Sequence, residues 1–285
     1  MNEPEIARAT EDDLRELVRR RFADEVSRRI YVGYAQEASR GAWVARDAGT
    51  PIGIAFAREY TFELFVSEVF VEPSFRNAGI GWKLLREATR DAGDLALAGV
   101  VSAEDPGSLA FFVRRGLGLH VPLLRIAGEI PREDTLVRMA AGEYRFATAP
   151  IEGTSRLDDF DALDRETRGS AKPQDHEQFA ASATGTAFYL QGECVGYAYV
   201  WPDGRVGPLA AASSNYLAPF FGFALASLRR TYGATWCTAL VPGSNLRVMR
   251  AAASIGLNVE AVSIFASDQP QIDLSRYVGF HVLGF

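Results

Sequence analysis

Hydrophobic and polar positions alternate along this chain in a pattern that occurs twice. Gly41–Phe56, GAWVARDAGTPIGIAF, holds two short alternating runs around Asp47-Ala48-Gly49-Thr50-Pro51, which predicts strand, tight turn, strand. Gly185–Val200, GTAFYLQGECVGYAYV, repeats the pattern and puts Gly196 where the first copy has Gly53. Each half later closes on a strand, a short helix ended by glycine and another strand. These segments are LALAGVVSAEDPGSLAFFVRRGLGLHVPLLRI and TWCTALVPGSNLRVMRAAASIGLNVEAVSIFA. In the first, Asp105 is the expected N-cap, Pro106 the first helical residue and Gly116 the stop; Ser244 and Gly256 take the cap and stop positions in the second.

Each half also opens on a helical pattern. Thr10-Glu11-Asp12-Asp13 reads as a capping box, after which Leu14, Leu17, Val18 and Phe22 share a face. Leu157, Phe160, Leu163 and Asp164 mark the corresponding helix in the second half. Between Glu129 and Thr154 the chain mixes Pro131, Gly142, Pro150 and Gly153 with charges, which sets the expected domains at 1–140 and 141–285. The length of 285 residues agrees with two domains.

The sharpest feature of the chain is the segment Val66–Gly93, VSEVFVEPSFRNAGIGWKLLREATRDAG. Ser67–Val71 has strand composition, Pro73 ends it, and a helix opens near Gly79 with Ile80, Leu84, Leu85 and Ala88 on its apolar stripe. A strand running through Arg76-Asn77-Ala78-Gly79-Ile80-Gly81 into a helix gathers unpaired amides and the positive end of the helix dipole at one place. That arrangement suits a pyrophosphate, with Gly79 and Gly81 letting phosphate oxygens reach the backbone. Glycines only at 79 and 81 do not make the dinucleotide fingerprint, and no GK[ST] follows for a Walker A loop.

Composition narrows the function further. Apolar residues are 48% and charged residues 23%, as in an ordinary folded protein. A net charge of −6 disfavours nucleic-acid and membrane partners. It suits a cationic acceptor such as an amine, and it is equally a common solubility charge. The segment 1–10 lacks a basic or apolar leader and no run approaches a membrane span, so a cytoplasmic location is expected. Cys194 and Cys237 lie in strand-like segments and read as buried thiols. His120, His176 and His281 are scattered, so no metal site is expected.

Arg76-x-x-Gly79-x-Gly81, with EVFVEP before it and an amphipathic helix after it, resembles motif A of the GNAT superfamily of acyl-CoA-dependent N-acetyltransferases. IARATEDDLREL resembles the first strand and helix of that family, and SAEDPGSLAFFVRRGLGL its motif B, so the likeness spans most of residues 4–127. Leu163-Asp164-Arg165-Glu166 with Gly169, RVGPLAA from Arg205 to Ala211 and VPGSN from Val241 to Asn245 resemble a degenerate second GNAT-like domain. There Ala218 and Phe220 replace the glycines of the cradle, and Pro219 is expected in the first turn of the following helix. The resemblance implies an α/β (α+β) fold of two tandem GNAT-like domains, each a mixed, mostly antiparallel sheet flanked by helices.

It also implies a function: transfer of an acetyl or related acyl group from acetyl-CoA to a small-molecule amine in the first domain, with no metal. The coenzyme A contacts would be Val69, Phe70, Val71, Arg76, Asn77, Ala78, Gly79, Ile80, Gly81 and Trp82, with the Val71 N–H as oxyanion donor. Glu68 is the expected catalytic base, ahead of Glu63 and Glu104. The usual motif B tyrosine, four residues before the closing glycine, falls on Phe112, so Tyr31, Tyr34 and Tyr60 stand as alternative proton donors. The departure at Phe112 also admits a non-catalytic acyl-CoA-binding pseudoenzyme or interaction module, and monomer and dimer both remain open.

Overall fold

The computed structural model describes residues 3–22, 25–141, 143–153, 157–171, 173–269 and 273–285. Gly142 and Thr154 of the expected boundary, and the side chain of Leu157, lie outside the described residues. The chain divides into two compact units, one of residues 1–100 with 267–269 and 284, the other of residues 101–266 with 270–283 and 285.

In the first unit the sheet runs β1 (Glu5–Arg8), β2 (Trp43–Asp47), β3 (Thr50–Glu59), β4 (Glu63–Val71) and β5, which starts at Ala96 and ends at Ser102. The first three pairings are antiparallel and β4 runs parallel to β5. Helices α1 (Glu11–Arg21), α2 (Glu25–Gln36) and α3 (Ile80–Ala88) flank it. The capping box forms as expected: the Thr10 hydroxyl accepts from the Asp13 amide at 3.3 Å, and the Asp13 carboxylate accepts from the Thr10 amide at 2.7 Å. Acids in the first turn of α1 and Arg19, Arg20 and Arg21 in its last turn complement the helix dipole. Leu14, Leu17 and Val18 are buried.

The second unit contains α4 (Pro106–Val113), β6 (Gly118–Glu129), α5 (Glu133–Ala141), β7 (Ala147–Pro150), α6 (Leu157–Arg168), α7 (Pro173–Ser182), β8 (Thr184–Leu190), β9 (Glu193–Val200) and β10 (Arg205–Ala211). The long α8 (Ser214–Tyr232), β11 (Trp236–Pro242), α9 (Leu246–Ser254), β12 (Asn258–Ser267) and β13 (Tyr277–Val278) follow. Its strands order as β12-β6-β11-β10-β9-β8-β7, with β13 also on β10. β6 belongs to this unit because Leu123–Glu129 pairs antiparallel with Trp236–Pro242 of β11. The compact units therefore do not follow the seam between the repeated sequences.

The repeat is visible in the turns. Ala48-Gly49 between β2 and β3 have φ of 47° and 84°, and Gln191-Gly192 between β8 and β9 have φ of 54° and 91°. Two successive left-handed residues twist each hairpin in the hand its strands require. Three expectations are corrected. Asn245, not Ser244, caps α9 through its side-chain oxygen and the Val248 amide at 3.1 Å. Pro219 lies inside α8 rather than in its first turn, because the Ser213 hydroxyl caps the helix five residues earlier. Cys237 is buried, which pushes its thiol up to about 12, but Cys194 is only half-buried.

Gly53 and Gly196 share one physical reason. A Cβ on Gly53 would meet the Phe70 carbonyl oxygen at 2.8 Å and Leu84 of α3 at 3.2 Å. On Gly196 it would meet the Ala210 carbonyl oxygen at 2.6 Å and Phe220 of α8 at 2.3 Å. In both units the third strand of the repeat lies tight under the helix that follows the fourth. We predict that Gly53→Ala and Gly196→Ala each lower the unfolding free energy by about 1–3 kcal/mol, Gly196→Ala the more, as denaturant titration would measure.

His281 supplies a pH-dependent term in the second unit. Its Nδ1 accepts from the Leu283 amide at 3.2 Å, and burial, together with Arg205 and Arg125, pushes its pKa down to about 3. The unfolded chain binds the proton below about 6.5 and the folded chain does not, so stability falls as pH drops from 6.5 toward 3. The ring is only half-buried, so the slope stays under the ceiling of about 1.4 kcal/mol per pH unit. Stability measured across that window should lose part of its slope in His281→Phe.

Candidate functional site

The site begins where β4 leaves β5. Glu63–Val66 pairs with Ala96–Gly99, and the pairing stops there, while β4 continues against β3 as far as Val71 opposite Gly53. The register with β3 jumps between Phe56 opposite Glu68 and Ala57 opposite Val66, which leaves Ser67 as the extra residue of a β-bulge. Beyond it Val69 and Val71 pack with Phe75 against the cluster of Ala45, Ile52, Ala55, Ile80, Leu84 and Ala88. This seats α3 on the end of β4.

The turn between them is built for exposed amides. Pro73–Phe75 makes one 3-10 turn, Asn77 has φ 65° and Gly79 has φ 77° as the N-cap of α3. Unlike α1, α4, α8 and α9, α3 has no side chain capping it, and the first amide returned to the turn is Lys83 on the Gly79 oxygen at 3.2 Å. The amides of Asn77, Ala78, Gly79, Ile80 and Gly81 meet no acceptor among the described residues. A Cβ on Gly79 would meet nothing within 4 Å, so the space beside this residue is open. Arg76 bonds the Val71 oxygen through Nε at 3.0 Å and ties the turn to the strand; Trp82 is 40% exposed on the first turn of α3. The donor set of this turn, uncapped amides at a helix N-terminus, fits a pyrophosphate.

Glu68 and Phe70 sit with Arg21 of α1. The Arg21 guanidinium pairs with Glu68 at 2.6 Å, lies 4.1 Å over the Phe70 ring and donates to the Tyr31 hydroxyl at 2.9 Å. Burial alone would depress the pKa of Arg21, but the Glu68 charge, Tyr31 and the hydrogen bonds to both together outweigh it and raise the pKa. Tyr31 is fully buried, and burial with the Glu68 charge pushes its pKa well up, so it stays a protonated phenol. Sequence reasoning picked out Glu68 and Tyr31 separately and missed Arg21, which joins them. Arg21 ends a run of three arginines that complements the helix dipole, and that role masks its reach to Glu68.

The other candidates fall elsewhere. Tyr34 and Tyr60 are buried beside the Arg58 guanidinium, 4.7 and 5.6 Å from it, and Glu63 is buried at the start of β4. In the second unit, Glu104 is exposed and Asp105 caps α4 through the Ser108 amide at 3.0 Å. Phe112 is buried beside Phe111, with ring centroids 5.9 Å apart.

The second unit repeats the scaffold and closes it. β10 pairs with β11 only at Arg205 and Val206; beyond them β13 lies on β10, with Val278 opposite Leu209 and Tyr277 opposite Ala210. Gly279 bridges to Leu240 of β11, and the Asn245 amide donates to the Tyr277 oxygen at 2.9 Å. The expected loop before α8 is itself helix, capped by Ser213. The face under α6 and α7 is filled as well. Asp164 accepts from Tyr197 at 2.5 Å and lies 3.2 Å from His176, whose other nitrogen lies 3.2 Å from the Tyr199 hydroxyl. Burial pushes Asp164 up, and His176, Arg168 and the Tyr197 hydrogen bond together override it to hold the carboxyl low. Burial raises both tyrosines. No group of metal-ligating side chains occurs among the described residues, and no helix there is long and apolar enough to cross a membrane.

Residues 7–118 match the model of the acetyltransferase (GNAT) family. Comparison with curated protein sequences gives no match. Among solved structures the chain is similar to a putative acetyltransferase from Pyrococcus horikoshii, at a TM-score of 0.74 and 15% identity over 100% of this chain and 97% of that one. It is also similar to a tandem GNAT protein from the clavulanic acid biosynthesis pathway, at 0.61 and 18% over 94% and 100%. A GCN5-related N-acetyltransferase from Sphaerobacter thermophilus gives 0.62 and 14% over 97% and 99%. These identities establish the fold. If the open amides receive a pyrophosphate, Gly79→Asp should weaken coenzyme A binding at least 100-fold, because a carboxylate would stand against the phosphates. Unchanged affinity by calorimetry would show that the phosphates bind elsewhere.

Proposed function

We propose that this chain, whose residues 7–118 match the acetyltransferase (GNAT) family and whose fold is that of tandem GNAT proteins, moves an acetyl or related acyl group from acetyl-CoA to the amine of a small molecule. Family and fold support acyl transfer in general. One contrast carries the assignment to the first unit. There the strands part and the following helix is uncapped, whereas in the second the gap beside β10 holds β13 and α8 is capped. We retain 1–140 and 141–285 as the two repeated domains, the second in a structural or substrate-shaping role.

Acyl-CoA supplies an activated thioester when bound. The amides from Asn77 to Gly81, with Trp82 and Arg76 beside them, hold its pyrophosphate, and the main chain of Val69, Phe70 and Val71 lines its arm. The Val71 N–H donates to the developing oxyanion. Glu68 takes the proton from the acceptor amine, directly or through a water, while Arg21 fixes its orientation. The acidic surface favours a cationic acceptor over nucleic acid or a membrane. The proposed reaction is a cytoplasmic one that uses no metal.

A second reading has a specific observation behind it. The ion pair of Glu68 with Arg21 at 2.6 Å, together with a phenylalanine at 112, suits a protein that binds acyl-CoA without turnover. Thiol release from acetyl-CoA over a panel of amines, aminoglycosides, amino acids and polyamines separates the two. Release with any acceptor supports the enzyme; coenzyme A binding with no release supports the module; no binding removes both. In an active protein Glu68→Gln should lower kcat by about 10²-fold or more with coenzyme A affinity unchanged, and unaltered turnover would take Glu68 out of the mechanism.

A further inference from the structure

Ser67 holds a hydroxyl that the fold does not use. Its side chain is 6% exposed, and its Oγ makes no hydrogen bond among the described residues. A buried hydroxyl without a partner costs about 1–3 kcal/mol, so a folded protein seldom keeps one without a use. Position supplies the use. Ser67 is the extra residue of the β4 bulge, one step beyond the last parallel pair at Val66 and Gly99 and one before Glu68. A bulge at this point re-aims a side chain just where the two strands separate.

We infer that Ser67 is a catalytic residue of the acyl transfer, its Oγ–H donating a hydrogen bond to the thioester sulfur as that sulfur leaves. The inference rests on the acyl-CoA reading given above. The chemistry calls for such a donor. Attack by the acceptor nitrogen forms a C–N bond, the C–S bond breaks with its electron pair going to sulfur, and the nitrogen's proton passes to Glu68. Charge then builds on sulfur, and a hydrogen bond from Ser67 meets it; a solvent proton later neutralises it, since an alkyl thiol has a pKa of about 8.5. The position at which the family resemblance expects a phenol holds Phe112, which has no hydroxyl to give. Tyr31 is fully buried, accepts from Arg21 and interacts with Glu68, which holds its phenol protonated. Ser67 is the hydroxyl on β4 that remains uncommitted.

Ser67→Ala and Ser67→Cys in the full chain test this by three readouts: kcat for acetyl-CoA with a saturating acceptor, coenzyme A affinity by calorimetry, and Tm. The expected result is a kcat lower by about 10- to 100-fold in Ser67→Ala and by less in Ser67→Cys, the loss of one hydrogen bond to a charged atom. Coenzyme A affinity should not change, and the Tm of Ser67→Ala should be equal to or above that of the parent, because the substitution removes an unsatisfied buried group. A kcat equal to the parent's would overturn the inference while leaving the transferase reading intact. So would a fall in Tm, which would mean that the hydroxyl holds the bulge together. A parent protein that binds no coenzyme A would instead remove the reading itself, and the role of Ser67 with it.

Discussion

Everything at this site depends on a single interrupted pairing. β4 and β5 run parallel from Glu63 and Ala96 to Val66 and Gly99 and then lose each other, while β4 stays fixed to β3 as far as Val71. A strand held on one side presents its other edge to whatever fits, which sheets normally prevent. The interruption is held open from three sides. The bulge at Ser67 bends β4, α3 presses Ile80, Leu84 and Ala88 onto β2 and β3, and Arg21 clamps Glu68 and Phe70 on the opposite face. The helix then starts at Gly79 without a side-chain cap, so the amides and the strand edge follow each other along the chain.

The second copy shows what the same scaffold does when that edge is satisfied internally. β13 takes the place beside β10, Asn245 fixes the Tyr277 carbonyl, and Ser213 starts α8 early enough to absorb the loop. Where the first unit has an ion pair reached by an arginine, the second has the neutral phenols of Tyr197 and Tyr199 around Asp164 and His176. Loss of the glycines at 218 and 220 is thus one part of a wider change. Phe220 stacks on Phe188 at 3.8 Å and is fully buried, so the residue that replaced a cradle glycine became core.

Local signals in the sequence were read with good success. The capping box at Thr10, the two hairpin turns, Asp105 as a cap, the stripe on α3 and the pairing of Gly53 with Gly196 all rest on residues within a few positions of each other, or on a spacing repeated intact. What escaped requires long-range contact. Nothing near Arg21 announces Glu68, 47 positions on. Nothing in Tyr277-Val278 distinguishes a strand filling a gap from a loop, and the placement of β6 with β11 follows only once both are paired. The start of α8 has a different origin: proline favours the first turn of a helix, but the serine cap upstream and the burial of Leu217, Phe220 and Phe221 outweigh the one hydrogen bond that Pro219 removes.

The contrast between the copies also bears on where stability is given up. The first unit keeps an uncapped helix, two residues at positive φ in its turn and an unbonded serine hydroxyl in its core. A missing cap alone is worth about 1 kcal/mol and an orphaned hydroxyl about 1–3 kcal/mol. These defects lie within fifteen residues of one another in Ser67–Gly81, and at none of them does the neighbouring chain supply the missing partner. The corresponding stretch of the second unit has each feature repaired, by a cap, a strand and an aromatic stack. Open groups that stand together in Ser67–Gly81 and have closed counterparts beside β10 and α8 are hard to attribute to the fold, because both copies share it. The proposed acyl-CoA, an elongated molecule with a phosphate end and a reactive end, would meet all of them at once.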